Sequence, residues 1–370
     1  MNTKRFGCLL WALWLCSSTW AQELSLPVRH YVLLDYETGM VLASKESDQP
    51  VPPASITKLM TAYLTFEALE RGTLKLSDKL TVSQKARQQK GSRMFVEQNS
   101  QVSVSDLLQG LIVQSGNDAS VVLAEGIAGS EEAFVKMMND KAQALGLRHS
   151  HFENTTGLPS DKHYMSANDI AKLAYAIITH YPQYFHYYGQ KSFQYNNIKQ
   201  DNRNALLFRN AQVDGLKTGY TDAAGYCLAS TEKRGEQRMI AIVLGASKEA
   251  ERYDSAQALL DYGFAQYQER VLLTAEQVIG QVMVYKGAQD VVAVRPATQL
   301  SWKLLKQQQV SATLHADLLV APIQAGQKVG TIEVRLGNKL LHTLDAVAAH
   351  DVEEGNFFKR QWHAIKLWFL

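Results

Sequence analysis

Cysteine is almost absent from this chain. Cys8 and Cys16 fall in the N-terminal segment, so Cys227 stands alone in the rest and an internal disulfide framework is excluded. A surplus of one charge is absent too: the formal net charge is +2 over 370 residues, and nothing in the bulk electrostatics points to nucleic acid. Long apolar runs are also missing. The first, Phe6 to Leu15, is too short to span a bilayer as a lasting anchor. It follows the basic stretch Met1 to Arg5 and leads to Thr19-Trp20-Ala21, with small residues at the third and first positions before Gln22. That is the pattern of a secretory signal peptide over residues 1–21, and the mature chain is expected to begin near Gln22. Leu15 directly before Cys16, where a lipoprotein signal needs a small residue, argues against lipidation. An exported chain with one thiol must rely on its hydrophobic core, which 46% hydrophobic residues can build at this length.

What the chain does have is a serine and a lysine three residues apart, in Pro53-Ala54-Ser55-Ile56-Thr57-Lys58. Pro52 and Pro53 keep the approach extended, and Ile56, Leu59, Met60, Tyr63 and Leu64 recur at helical spacing until Gly72. Residues i and i+3 share a helix face, so the Ser55 hydroxyl and the Lys58 amine come within reach of one another: a nucleophile beside a base. In a first turn, the unpaired amides favour negative charge developing on the attacking oxygen. Lysine becomes a useful base when burial or a neighbouring cation lowers its pKa. Ser230-Thr231-Glu232-Lys233 has the same spacing but ends a strand-like run, where residues three apart point to opposite faces.

Two more short segments carry chemistry. Gln114-Ser115-Gly116-Asn117-Asp118 interrupts two apolar helical stretches, presenting Ser115 as a proton relay and Asn117 as an amide that orients a substrate carbonyl. Ser166-Ala167-Asn168-Asp169 repeats the Ser-x-Asn spacing but reads as a capping box. Asp214-Gly215-Leu216-Lys217-Thr218-Gly219-Tyr220 contains the chain's one Lys-Thr-Gly. On an edge strand, Lys217 would supply a fixed positive charge, Thr218 a hydrogen bond to a carboxylate, and Gly219 room for substrate backbone.

Around these segments the pattern predicts hairpins at 30–44 and 226–245, helices from Ser103 to about Pro182, and a helix over Ser255 to Tyr267. Strands at both ends with helices between imply an α+β fold, with an antiparallel sheet flanked by helices over residues 22–270. Short strand candidates at 282–285, 291–294, 312–314, 318–320 and 332–334 predict a small all-β domain over 271–352. Residues 353–370 predict an amphipathic helix with Phe358, Trp362, Ile365 and Phe369 on one face, too short to cross a bilayer but suited to lie in its interface. His149 and His151, two residues apart and with no acidic partner in the sequence, read as surface or capping histidines, so no metal and no cofactor is expected.

Ser-x-x-Lys, Ser-x-Asn and Lys-Thr-Gly, in that order, are the trio of class A β-lactamases and penicillin-binding proteins. With Asn202-Arg203-Asn204, Ala224-Gly225-Tyr226 and Glu353-Glu354-Gly355-Asn356-Phe357-Phe358, the whole chain resembles the low-molecular-mass penicillin-binding proteins of the D-alanyl-D-alanine carboxypeptidase type. The resemblance implies that Ser55 is acylated, Lys58 is its base, Ser115 and Asn117 form the second motif, and Lys217 with Thr218 and Gly219 anchors substrate. Arg252, with Arg203 assisting, would meet the substrate carboxylate, and the amides of Ser55 and of Tyr220 or Thr221 would form the oxyanion hole. The implied substrate is the peptidoglycan pentapeptide stem, the implied inhibitors are β-lactams, and the implied place is the periplasm, on the outer face of the inner membrane. Tyr220 departs from the His or Thr often found after Lys-Thr-Gly. A class A β-lactamase would need Glu-x-x-Leu-Asn, which this chain lacks. A DD-endopeptidase, or a wall-binding scaffold of low turnover, fits the same motifs.

Overall fold

The structure is a computed structural model that describes residues 24–368; the expected signal peptide and Phe369 lie outside the described residues. It divides into two compact units, one running to Phe264 and the other from Ala265.

The first unit is built on a five-stranded antiparallel sheet. Strands β1 (His30–Asp35) and β2 (Val41–Lys45) form the first hairpin, and β3 (Val213–Thr221), β4 (Gly225–Arg234) and β5 (Gln237–Ala246) form the rest. The order is β2-β1-β5-β4-β3, so the strand carrying Lys-Thr-Gly lies at an edge. Between the hairpins lie α1 (Lys58–Glu70), α2 (Val104–Ile112), α3 (Asn117–Ala128), α4 (Glu131–Ala144) and α5 (Ala167–His180). Ser166 caps α5, its hydroxyl accepting from the Asp169 amide at 3.2 Å as the sequence predicts. Helix α1 is buried on almost every side, from Leu59 through Phe66 to Leu69. A helix apolar all round belongs in the middle of a core, and this one puts Lys58 there with it.

The closing helix α6 spans Glu249–Ala265 rather than Ser255 to Tyr267. Glu249 and Glu251 suit its first turn, whereas Tyr267 opens a strand paired with Leu305.

In the second unit, β6 (Tyr267–Leu273) pairs with β9 (Leu300–Leu305). A six-stranded sheet has the order β10-β12-β13-β8-β7-β11, from β7 (Gly280–Tyr285), β8 (Val291–Pro296), β10 (Ser311–Ala316), β11 (Leu319–Val320), β12 (Lys328–Leu336) and β13 (Lys339–Ala348). Strands β6, β9 and β13 are additions to the sequence reading. Their residues lack a clean period of two, and cross-strand pairing decides them, as in the tight Leu336–Lys339 hairpin turn at Gly337-Asn338. Val284, Val292, Val294, Ile332 and Val334 fill the core of this unit.

Helix α7 (Phe357–Trp368) closes the chain. His363 Nδ1 accepts from the Lys286 amide at 2.7 Å, and Lys359 pairs with Asp290 at 2.8 Å. Phe358, Trp362, Ile365 and Trp368 stay exposed, Trp368 by 83%. No helix among the described residues is long and apolar enough to cross a membrane.

Candidate active site

Ser55 sits in a single 3-10 turn, Ala54–Thr57, that runs straight into α1, rather than in the first α-helical turn. Side chains three apart nearly eclipse in a 3-10 turn, which aligns Ser55 with Lys58. Ala54 adopts φ of 49°, in the left-handed region that a residue with a Cβ rarely enters, and Ser115 does the same at 66°. Both chemistry-bearing loops are thus held in costly backbone conformations by the packing around them.

Lys58 Nζ lies 2.9 Å from Ser55 Oγ and donates to the Thr156 carbonyl at 2.7 Å. The lysine is 1% exposed, and burial pushes it down to about 7 against the opposing pull of Asp118. In its neutral form the amine keeps a hydrogen for Thr156 and turns its lone pair toward the Ser55 proton. This is the poise a general base needs near neutral pH.

Ser55, Ser115, Arg203, Thr218, Gly219 and Arg252 line one cavity of about 320 Å³, with Tyr220 and Tyr226 at its wall. Gly219 is where β3 meets the nucleophile turn: a Cβ there would stand 2.9 Å from the Pro53 carbonyl oxygen. Ser115 Oγ and Asn117 Oδ1 are buried, with no hydrogen-bond partner among the described residues. Asn117 Nδ2 donates one hydrogen to the Lys90 carbonyl at 2.6 Å and keeps a second with which to orient a substrate carbonyl. Arg252 donates to Glu249 at 2.6 Å and to the Gly219 carbonyl at 3.4 Å, and Arg203 reaches Gln114 at 3.2 Å.

Lys217 lies deeper than a surface cation. It is fully buried, with its amine on the Thr218 carbonyl at 3.1 Å, and burial together with Lys58, Arg252 and Arg203 pushes its pKa well below the usual lysine range. Burial disfavours the charged amine most, and the positive groups around it add to that until an anion arrives.

The profile of the S11 peptidases, D-alanyl-D-alanine carboxypeptidases, matches residues 17–248. The chain belongs to this family. The C-terminal domain of penicillin-binding protein 5 matches residues 267–354. The D-alanyl-D-alanine carboxypeptidase DacC of Escherichia coli is 36% identical over 356 residues, covering 93% of this chain and 89% of that protein. Penicillin-binding protein 5 from Haemophilus influenzae aligns structurally at a TM-score of 0.67 with 35% identity, over 90% of this chain and 99% of that one. Penicillin-binding protein D2 from Listeria monocytogenes, solved in its ampicillin-bound form, aligns at 0.60 with 30% identity, over 65% of this chain and 98% of that one. This chain is a peptidase.

The peptidase site also uses residues that no motif announces. Asp118, directly after the Ser-x-Asn segment, is buried and accepts from the amides of Met94, Phe95 and Val96 at 3.0, 2.8 and 3.3 Å. It ties the segment bearing Gly91 and Ser92, which line the cavity, to the head of α3. Asp118→Ala orphans these amides and is expected to lower the unfolding free energy by about 2–4 kcal/mol, read from urea denaturation.

The loop from Glu153 to His163 braces α1 from the other side. The Thr155 carbonyl accepts from Thr61 and Ser120, at 2.9 and 2.7 Å. His163 Nδ1 accepts from the Glu153 amide at 3.2 Å, which leaves Nε2 to donate to Thr57 Oγ1 at 2.8 Å. Burial pushes His163 down to about 4, so it stays neutral beside Lys58. A backbone carbonyl acceptor such as Thr156 leaves no sequence signal, and neither does the burial of a histidine. His149 does have an acidic neighbour, Asp48 at 3.5 Å, and no cluster of three metal-ligating side chains occurs among the described residues.

Proposed function

We propose that the chain is a serine D-Ala-D-Ala carboxypeptidase that trims peptidoglycan pentapeptide stems through an acyl-enzyme at Ser55. The observation that carries this reading is the Ser55–Lys58 contact with the lysine held near 7, in a cavity whose other wall is cationic. Lys58 takes the Ser55 proton as Oγ attacks the carbonyl between the two D-alanines. The amides of Ser55 and Tyr220 face the developing oxyanion; Tyr220 lines the cavity with Ser55, which favours it over Thr221. Ser115 passes the proton to the departing amine, the C–N bond breaks, and free D-alanine leaves. Water then hydrolyses the ester and returns Ser55. The terminal carboxylate sits against Thr218 and Arg252, with Arg203 nearby, and its charge favours the protonated form of Lys217. A β-lactam, which carries a carboxylate and a reactive amide in the same relation, acylates Ser55 by the same route.

The test is D-alanine release from a pentapeptide ending in D-Ala-D-Ala, beside a cross-linked stem dimer and a fluorescent penicillin. Release from the pentapeptide with labelling is the expected result. Cleavage confined to the dimer would make the protein a DD-endopeptidase, and labelling without cleavage of either would make it a scaffold.

The same reading places the mature chain in the periplasm, on the outer face of the inner membrane, with a role in wall maturation and cell shape. The exposed aromatic side chains of α7, flanked by Lys359, Arg360 and Lys366, suit the interface of an anionic bilayer. Deleting residues 357–370 is expected to release the protein from anionic vesicles in a sedimentation assay. Sedimentation unchanged by the deletion would refute the anchor.

A further inference from the structure

A second cavity, about 750 Å³, opens beside the catalytic one and shares Tyr220 and Tyr226 with it. The two rings stand 4.4 Å apart between centroids, and Tyr220 is 51% exposed. The reaction leaves this second cavity without a task.

The direction of a bound stem decides which of its residues reaches it. Strand β3 is an edge, so an extended peptide can lie along it. The stem's carboxylate end is drawn to Thr218 and its acyl carbonyl to Ser55, beside Gly219. Proceeding from Thr218 through Gly219 and Tyr220 to Asp222 therefore runs from the stem's C-terminus toward its N-terminus, at ~3.3 Å per residue on either chain. The residue that precedes the acylated D-alanine comes to lie beside Tyr220 to Asp222, at the mouth of the second cavity.

The cavity offers both signs of charge. Asp222 accepts the Tyr220 hydroxyl at 2.9 Å, and Arg29 donates one amino group to the Ala224 carbonyl at 2.8 Å. Both line the cavity, and among the described residues neither forms an ion pair. An apolar side chain would leave both charges unanswered; a side chain carrying one charge would answer one of them.

We infer that this cavity is a subsite for a stem diamino acid whose side chain carries a free amine and a free carboxylate, the amine at Asp222 and the carboxylate at Arg29. The Tyr220 and Tyr226 rings cover its methylene groups. The subsite rests on the carboxypeptidase reading for the direction of the stem.

The experiment compares three acyl-X-D-Ala-D-Ala peptides, in which X is diaminopimelate, lysine or Nε-acetyl-lysine. D-alanine release and protection of the wild-type protein against fluorescent penicillin are both read. Diaminopimelate is expected to exceed acetyl-lysine about tenfold in kcat/KM, with lysine between, as charge-assisted contacts at a partly open site allow. Arg29→Gln should erase the difference between diaminopimelate and lysine, and Asp222→Asn that between lysine and acetyl-lysine, while acetyl-lysine turnover stays unchanged in both. Equal kcat/KM for the three peptides, or an order that persists in the double variant, would overturn the subsite. If no peptide is hydrolysed, the carboxypeptidase reading fails, and the order of protection against labelling still decides the subsite.

Discussion

Ser55→Ala is expected to release no D-alanine above the uncatalysed rate and to take up no penicillin label, and Lys58→Gln to lose a factor of roughly 10⁴ or more in acylation. The two losses should not add, because the serine and the lysine act as one unit: without the base the hydroxyl is a weak nucleophile, and without the hydroxyl the base has nothing to activate. The pH dependence is the sharper check. Only the neutral amine accepts the Ser55 proton, so kcat/KM should rise tenfold per pH unit on the acid side and level off above about 7, where burial holds the Lys58 amine. A profile flat from pH 5 to 8 would remove Lys58 from the role. The same burial has a cost in stability. Between the folded value near 7 and the ordinary lysine range, the unfolded chain binds the proton that the folded chain has lost. Lys58 therefore contributes a stability that grows as pH rises through this window and is lost as pH falls back toward 7.

Gly157→Ala should damage both the fold and the chemistry. Gly157 has φ of +84°, and a Cβ built on it would lie 1.8 Å from the Ala54 carbonyl oxygen and 2.8 Å from Thr57 Oγ1. Backbone meets backbone here, so no side chain can swing aside to make room. Either the loop lifts off, taking the Thr156 carbonyl away from Lys58, or the Ala54–Thr57 turn moves and carries Ser55 with it. The expected result is a loss of about 3 kcal/mol in urea denaturation. In the protein that remains folded, the acylation rate should fall on the order of 100-fold, as misplacing a reacting group by about 1 Å does. An unchanged denaturation midpoint with full labelling would show that the loop does not brace the nucleophile.

The three motifs, the two hairpins and the helices between them were legible because each rests on short-range order. Ser55 and Lys58 are three apart on one turn, Ile56, Leu59, Met60 and Tyr63 repeat with the helical period, and the β4–β5 hairpin is marked by the polar turn Lys233-Arg234-Gly235-Glu236. The boundary of α6 and the strands β6 and β9 were not, since pairing partners far along the chain decide them, and β13 lacks a clean period of two although it pairs with β12 across a tight turn. What the sequence by itself determined is therefore which groups are present and which of them are neighbours within one turn. Tertiary structure decided their chemical state. Lys58 is a base near neutral pH because the core around α1 buries it, while the Thr156 carbonyl, 98 positions away, holds its amine beside Ser55. The Lys217 amine is pushed well below the usual lysine range because the fold buries it and brings Lys58, Arg252 and Arg203 toward it from separate elements. Desolvation and the approach of distant charges depend on what packs against a residue, and that is a property of the folded chain rather than of any stretch of it.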